Sequence, residues 1–227
     1  VLWSVVESTA LADAEVEYQD HISNQIYVNF CLKTEFRGHK NLGILIWTTT
    51  PWTIPCNRAL AYNPDLVYGI YENQEKEKFI LAKDLKDNFT DVTQINLELI
   101  DTFNGKELEN LIAIHPFCDL GYNYDVPLLE ADFVTVEQGT GIVHVAPSHG
   151  PDDFTLGVKN NIKAENTIDD KGHYTNMIKH FEGTHIFKAD KIIIEELKKF
   201  NKLIFTKKFK HSYPHSWRSK APLVHRA

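Results

Sequence analysis

The sequence predicts an α+β domain with a β-barrel core and peripheral helices, on three observations. Apolar residues alternate or cluster in short segments, turn residues separate those segments at spacings typical of a barrel or sandwich, and helical periodicity is confined to a few places. With 227 residues, 43% of them hydrophobic, the chain can bury one large core, which sets disorder aside.

Asn24 to Thr34 places Ile26, Val28, Phe30 and Leu32 on one face, the period of a half-buried strand. Turn residues at Arg37 to Asn41 lead into Leu42 to Trp47, whose near-continuous apolar run predicts a strand covered on both faces. Val67 to Tyr71 and Lys78 to Ala82 read as a hairpin, and Leu97 to Ile100, Leu111 to Ile114, Phe133 to Glu137 and Gly141 to Val145 continue the series. A helix is predicted from a cap at Asp190 through Phe200, with Ile193, Ile194, Leu197 and Phe200 at helical spacing. A short one is expected over Lys83 to Phe89. The ends, residues 1–20 and 211–227, read as connections to parts outside the sequence, and 1–227 as one domain.

The only methionine is Met177 and the chain begins at Val1, so a piece of a longer protein is expected. No apolar run reaches the roughly 18 to 20 residues that span a bilayer, and Val1 to Tyr18 carries carboxylates where a signal peptide is basic. A soluble, intracellular protein is expected. Cys31, Cys56 and Cys118 are widely spaced without a CxxC pair, which suits a reducing compartment and buried thiols. A formal charge of −7 argues against nonspecific coating of nucleic acid. Yet no acid follows Glu196, while Lys198, Lys199, Lys202, Lys207, Lys208, Lys210, Arg218, Lys220 and Arg226 do; a solvated face and a phosphate-contacting surface both fit.

Two segments could carry chemistry. Trp47 to Asn57 reads WTTTPWTIPCN, and its prolines force turns just where the hydroxyls of Thr48, Thr49 and Thr50 leave a strand. Those hydroxyls could equally cap local backbone. Gly139 to Asp153 reads GTGIVHVAPSHGPDD; His144 shares a strand face with Ile142, and Asp152 and Asp153 fit a helix N-cap before Phe154. HExxH, GxSxG and GxxxxGK[ST] are absent, which argues against a zinc protease, a serine hydrolase elbow and a P-loop. From the residues alone, the reading stops at two polar loops that could converge.

Both segments resemble the signature segments of isoleucyl-tRNA synthetase editing domains of bacterial or organellar type, and the likeness extends through ALADAEVEY (10–18), DDKGHYT (169–175), GTHIFKA (183–189) and HSYPHSWRSKAPLVHRA (211–227). Valyl and leucyl relatives typically carry arginine at the position of Thr50, so threonine there points to isoleucine. The synthetase motifs HIGH and KMSKS are absent, and serine at Ser216 and Ser219, where some relatives have cysteine, weakens any zinc idea.

The resemblance implies a β-barrel inserted in a catalytic domain that clears valine from isoleucine tRNA, because a pocket for isoleucine rejects one missing methylene by only about 1–3 kcal/mol, a limit for which isoleucyl-tRNA synthetase is itself the usual illustration. It further implies that Asp153 pairs with the ammonium of the bound valine, that His144 and Trp47 line the substrate pocket, with His144 helping to exclude isoleucine, and that Thr48, Thr49, Thr50 and Asn57 bind the terminal adenosine, position the ester and order the attacking water. No metal and no cofactor are expected for editing, ATP serving only the catalytic domain. The expected partners are the 3′ end of isoleucine tRNA carrying valine and the rest of the synthetase, with no membrane; a monomer in the cytoplasm or an organellar matrix is expected. A valyl-type domain clearing threonine, or a tRNA-binding module inactive in isolation, are the alternatives.

Overall fold

A computed structural model describes all 227 residues. In chain order its strands are β1 (Leu2–Ser4), β2 (Thr9–Ala10), β3 (Val16–Leu32), β4 (Gly43–Thr48), β5 (Ala59–Tyr62), β6 (Val67–Glu72), β7 (Lys78–Ala82), β8 (Glu98–Asn104), β9 (Ile112–Ile114), β10 (Asp125–Glu130), β11 (Ile142–Val145), β12 (Leu203–Ser216) and β13 (Val224–His225). The helices are α1 (Lys86–Thr93), α2 (Pro151–Lys159) and α3 (Ile186–Lys199). No helix is long and apolar enough to cross a membrane.

One mixed sheet runs in the order β11-β5-β10-β9-β3-β4-β7-β6-β8, with β12 also on β3; β13, β1 and β2 form a small second sheet. Its spine is β3. Ile26 to Cys31 pair with β4, whereas Val16 to Val28 pair with β12, so before Ile26 the two form a ribbon with no third strand. The predicted strand at Asn24 is therefore the inner half of a longer one. Its outer half, and β12 with it, lacks a covered face and so lacks the apolar period by which strands are read. The end segments 1–20 and 211–227 are accordingly strands in large part.

The α+β class is as predicted, but the barrel is partial. The sheet curls until β11, at one end of the strand order, lies against β4, and there the Ala82 N–H donates to Thr140 O at 2.8 Å; no unbroken ladder closes the ring, and the exposed β8 stays outside. Gly141 permits the approach. It has a φ of +73°, and a Cβ there would stand 2.4 Å from Cβ of Ala82. Gly141→Ala combines left-handed strain with overpacking, so urea unfolding is expected to register a loss of roughly 2–4 kcal/mol; an unchanged midpoint would mean that the curl tolerates a wider seam.

Phe133 to Glu137 is not a strand. Val134 is buried against Ala59, Ala61 and Val145 without joining a ladder, and β10 supplies the strand instead, its apolar signal broken by Pro127. Lys83 to Phe89 divides into a single 3₁₀ turn at Lys83–Leu85 and the start of α1. Helix α3 begins one turn before the predicted cap: His185 Nδ1 accepts from the Phe187 N–H at 3.2 Å, and Asp190 lies inside the helix. Ile186, Ala189, Ile193 and Leu197 bury one face of α3 in the main core, against the turn Pro51–Cys56. In α2 the cap position belongs to Gly150, with Pro151 next, so Asp152 and Asp153 occupy the first turn rather than capping it, where their charge still suits the helix dipole.

Candidate active site

Thr48 ends β4, and the prolines turn the chain into the 3₁₀ segment Pro51–Cys56, all six residues of which are buried. Side chains three apart eclipse in such a turn, which sets Thr53 beneath Thr50. The result is a chain of polar contacts. Thr48 Oγ1 lies 3.1 Å from Thr50 Oγ1 and accepts from the Thr50 N–H; Thr50 Oγ1 lies 3.4 Å from Thr53 Oγ1, and Thr53 Oγ1 lies 2.9 Å from His144 Nε2. On the other side of the ring, Asn57 Nδ2 stands 2.8 Å from His144 Nδ1.

The direction of these bonds follows from one anchor. Asn57 Nδ2 also lies 2.8 Å from Ala59 O, which can only accept, so the amide nitrogen is fixed there and donates its second hydrogen to His144 Nδ1. His144 then carries its proton on Nε2 and donates to Thr53 Oγ1, which in turn donates to Thr50 O at 2.9 Å. Burial pushes the imidazole down to about 3, with His149 adding to the shift, so the ring is neutral at pH 7. Asn57 Oδ1 is buried without a protein partner, at a general cost of about 1–3 kcal/mol. Both ring nitrogens of His144 are thus held.

Asp153 sits in the first turn of α2, and its Oδ2 accepts from the Ala146 N–H at 2.7 Å, folding the Ala146 to Gly150 loop back on itself. Burial raises its carboxyl to about 6 and nearby Asp152 contributes, against the lowering effect of the Ala146 bond. Thr49 makes no side-chain hydrogen bond of its own. With Thr50 it lines a cleft of about 660 Å³ whose other walls include Trp52, Asn24, Asp190 and Tyr213.

The structure therefore brings Thr48, Thr50, Asn57 and His144 into one network, opens Thr49 and Thr50 onto the cleft, and holds Asp153 in the first turn of α2, beyond the loop that follows His144; neither His144 nor Asp153 is among the residues that line that cleft. Trp47 points elsewhere: alternation puts it on the opposite face of β4 from Thr48, its Nε1 donating to Gln25 Oε1 at 2.9 Å and its ring against Phe209. Gly139 nonetheless packs on the indole, so the two signature segments meet at Trp47–Gly139 and again at Thr53–His144. Sequence reasoning passed over Thr53 and took Asp190 for a helix cap. Thr53 lies three residues from Thr50, the 3₁₀ repeat. Asp190 lies four residues after Ile186 and three before Ile193, on the buried stripe of α3, where its carboxylate accepts from the Trp52 N–H at 3.2 Å and burial raises it to about 6.

A family model described as leucyl-tRNA synthetase, editing domain, matches residues 26–213. The isoleucine–tRNA ligase of Pelagibacter ubique is 56% identical over 234 residues, which cover 100% of this chain and 26% of that protein. That of Gluconobacter oxydans is 42% identical over 251 residues, again 100% of this chain and 26% of the relative. The chain spans about a quarter of the length of these curated relatives. Among solved structures, GlLeuRS-CP1 superposes with a TM-score of 0.61 at 17% identity, covering 81% of this chain and 99% of that one. The editing domain of the P. knowlesi cytosolic leucyl-tRNA synthetase gives 0.60 at 11% identity, over 85% and 97%. These two likenesses concern the fold. Most of the sequence falls within the matched family model, on a fold that solved editing domains share, and the chain belongs to the leucyl-tRNA synthetase editing-domain family.

Proposed function

We propose that this chain hydrolyses the ester of valine mischarged on isoleucine tRNA, as the post-transfer editing unit of an isoleucyl-type synthetase. The observation that carries the reading is the fixed hydrogen-bonded chain from Thr48 through Thr50, Thr53 and His144 to Asn57, beside a cleft onto which the unbonded Thr49 hydroxyl opens. The 56% identical relative is an isoleucine–tRNA ligase, which supports isoleucine tRNA as the carrier. Threonine at position 50 agrees with it.

In this mechanism a water held by the threonine hydroxyls attacks the ester carbon, the carbonyl oxygen gathers charge beside the unbonded Thr49 hydroxyl, and the ester bond breaks as the ribose oxygen takes the proton that the water gives up. His144 is not the base. Its Nδ1 accepts from Asn57 and its Nε2–H is spent on Thr53, so the ring is held rigid behind the threonine turn, and the role taken from the resemblance is that of a wall with which a longer side chain collides. Asp153 meets the substrate ammonium and must be ionised to do so. The remainder of the synthetase chain and the 3′ end of the tRNA are the partners, and no cofactor takes part.

The test is hydrolysis of valyl, isoleucyl and threonyl esters of the same tRNA, with and without chelator. Valine is expected to be released fastest, and chelator to leave the rate unchanged; preference for threonine, or restoration by zinc after chelation, would overturn the reading. The pH profile adds a sign. The Asp153 carboxyl is raised to about 6 and is charged above that value, so kcat/KM for the valyl ester is expected to climb through pH 6 and to fall again where the substrate's own α-ammonium loses its proton, at about pH 8 for an ordinary α-amino group, with no inflection from the neutral His144. The same shift works against the fold: this group's contribution to stability is full below the ordinary carboxylate range and is lost as pH rises through about 6.

A further inference from the structure

The ribbon formed by β3 and β12 carries a feature that the hydrolytic site does not use. Alternate residues of a strand share a face, so Phe209, His211, Tyr213 and His215 of β12 project together, opposite Ser23, His21, Gln19 and Glu17 of β3. Their rings form an unbroken row. From Trp47 to Phe209 the centroids are 5.8 Å apart, from Phe209 to His211 5.5 Å, from His211 to Tyr213 5.5 Å, from Tyr213 to His21 5.1 Å, and from His21 to His215 5.6 Å. Phe209, His211, Tyr213 and His21 are all partly exposed, with Phe209 against Trp47 and with Tyr213 and His21 facing the cleft beside α3.

Two further observations say what the row suits. Tyr213 and His21 also line the cleft beside Thr49 and Thr50, so the rings run into the candidate site. Charge lies alongside: Lys207 on the same face and Lys208 on the other are exposed and have no carboxylate within ion-pairing distance, whereas Lys210 is neutralised by Asp20 at 2.6 Å. Partial burial, and for His21 the neighbouring His215 and His211, hold the His21 and His211 rings below the ordinary histidine pKa, so they are neutral at pH 7. Neighbouring rings meet at 88°, 30°, 78°, 32° and 57° along the row, so it offers both faces and edges; aromatic rings in series with free cations beside them are the chemistry of single-stranded nucleic acid binding, in which bases stack and phosphates meet lysine.

We propose that this row of rings is a stacking platform for the unpaired 3′ end of an RNA, leading its terminal nucleotides along the ribbon into the cleft beside Thr49 and Thr50. The proposal rests on the reading of the site as one that acts on an ester at an RNA 3′ end. A flexible single strand has little else to hold it, and stacking on successive rings would order it without demanding a particular base sequence.

The probe is a 5′-fluorescein RNA hairpin with an unpaired ACCA tail, compared with the same hairpin made blunt, both titrated with the full chain and followed by anisotropy. The parent is expected to favour the tailed hairpin by about tenfold or more, and F209A/H211A to lose roughly 5- to 100-fold on the tailed hairpin alone. F209Y and H211F, which keep flat rings, are expected to retain the preference, showing that lost stacking and not misfolding is responsible. K207A/K208A is expected to weaken both hairpins alike and to reduce the salt slope by about 2. Equal binding of tailed and blunt hairpins by the parent, or an undiminished preference in F209A/H211A, overturns the platform. Neither Phe209 nor His211 lines the cleft, so F209A/H211A should hydrolyse a valyl ester of adenosine at the parental rate; failure of the parent on that small ester counts against the reading of the site, while the hairpin comparison reports on the platform alone.

Discussion

Asp153→Asn is expected to lose nearly all hydrolysis of the valyl ester while keeping the fold. The Asp153 carboxylate has two potential roles that alanine would remove together: it accepts from the Ala146 N–H at 2.7 Å, and in the proposed mechanism it balances the ammonium of the substrate. Asparagine separates them, because its carbonyl oxygen can still accept from Ala146 while its charge is gone. An ammonium left unpaired in a partly desolvated site costs about 2–5 kcal/mol, a fall of roughly 30- to several thousand-fold in kcat/KM. Asp153→Ala should add a loss of stability from the freed loop, about 1 kcal/mol for a bond of this kind. The measurement is single-turnover deacylation of the valyl ester, with urea unfolding of both variants. Near-parental deacylation by Asp153→Asn would leave this residue a clasp of the Ala146 to Gly150 loop and nothing more, and the proposed ammonium site would have to be sought elsewhere.

His144→Ala is expected to act in the opposite sense on the wrong substrate. Because Asn57 and Thr53 pin the two ring nitrogens, the imidazole cannot swing aside for a larger ligand, and its 7% exposure leaves little slack around it. Removing it opens room for the extra methylene of isoleucine, so the isoleucyl ester should begin to be hydrolysed and discrimination should fall by about 10- to 200-fold. Valine hydrolysis should also drop, since Thr53 loses the donor that orients it. His144→Gln offers an amide in place of the ring and distinguishes the two effects: it can restore contact with Thr53 but not the shape of the wall. An isoleucyl ester that stays resistant in His144→Ala would show that the size filter is built from other residues.

What the sequence could and could not reveal divides along a physical line. Strands buried on at least one face, such as Ile26 to Leu32 and Leu42 to Trp47, announced themselves through apolar pattern. The outer ribbon did not, since Ile22 and Tyr18 stand exposed and the lysines of β12 look like a solvated run until Val16 is seen paired with Ser216. Thr48, Thr50, Asn57 and His144 were named from two motifs, and the structure joins them in one network; Thr53, the link between the motifs, looked like one threonine among several. Asp190 was read as a cap because aspartate favours that place, and only the packing of α3 on the threonine turn reveals a carboxylate that holds the Trp52 N–H. Tyr213 and Asn24, far apart in sequence, meet at the cleft through β3–β12 pairing, which no local pattern encodes.

That pairing also dictates how the domain would respond to force. Val16 lies opposite Ser216, so a load applied there pulls the two strands apart from one end and meets the ladder bonds one after another instead of all at once. Each pair released lengthens the tether by roughly 7 Å, twice the rise of a strand residue. Peeling would proceed easily along the outer ribbon and stall near Ile26, where β4 grips the other edge of β3 and the buried core begins. The ribbon is thus the domain's weak link in tension, able to yield and re-zip while the hydroxyl chain behind Ile26 and Thr48 stays assembled.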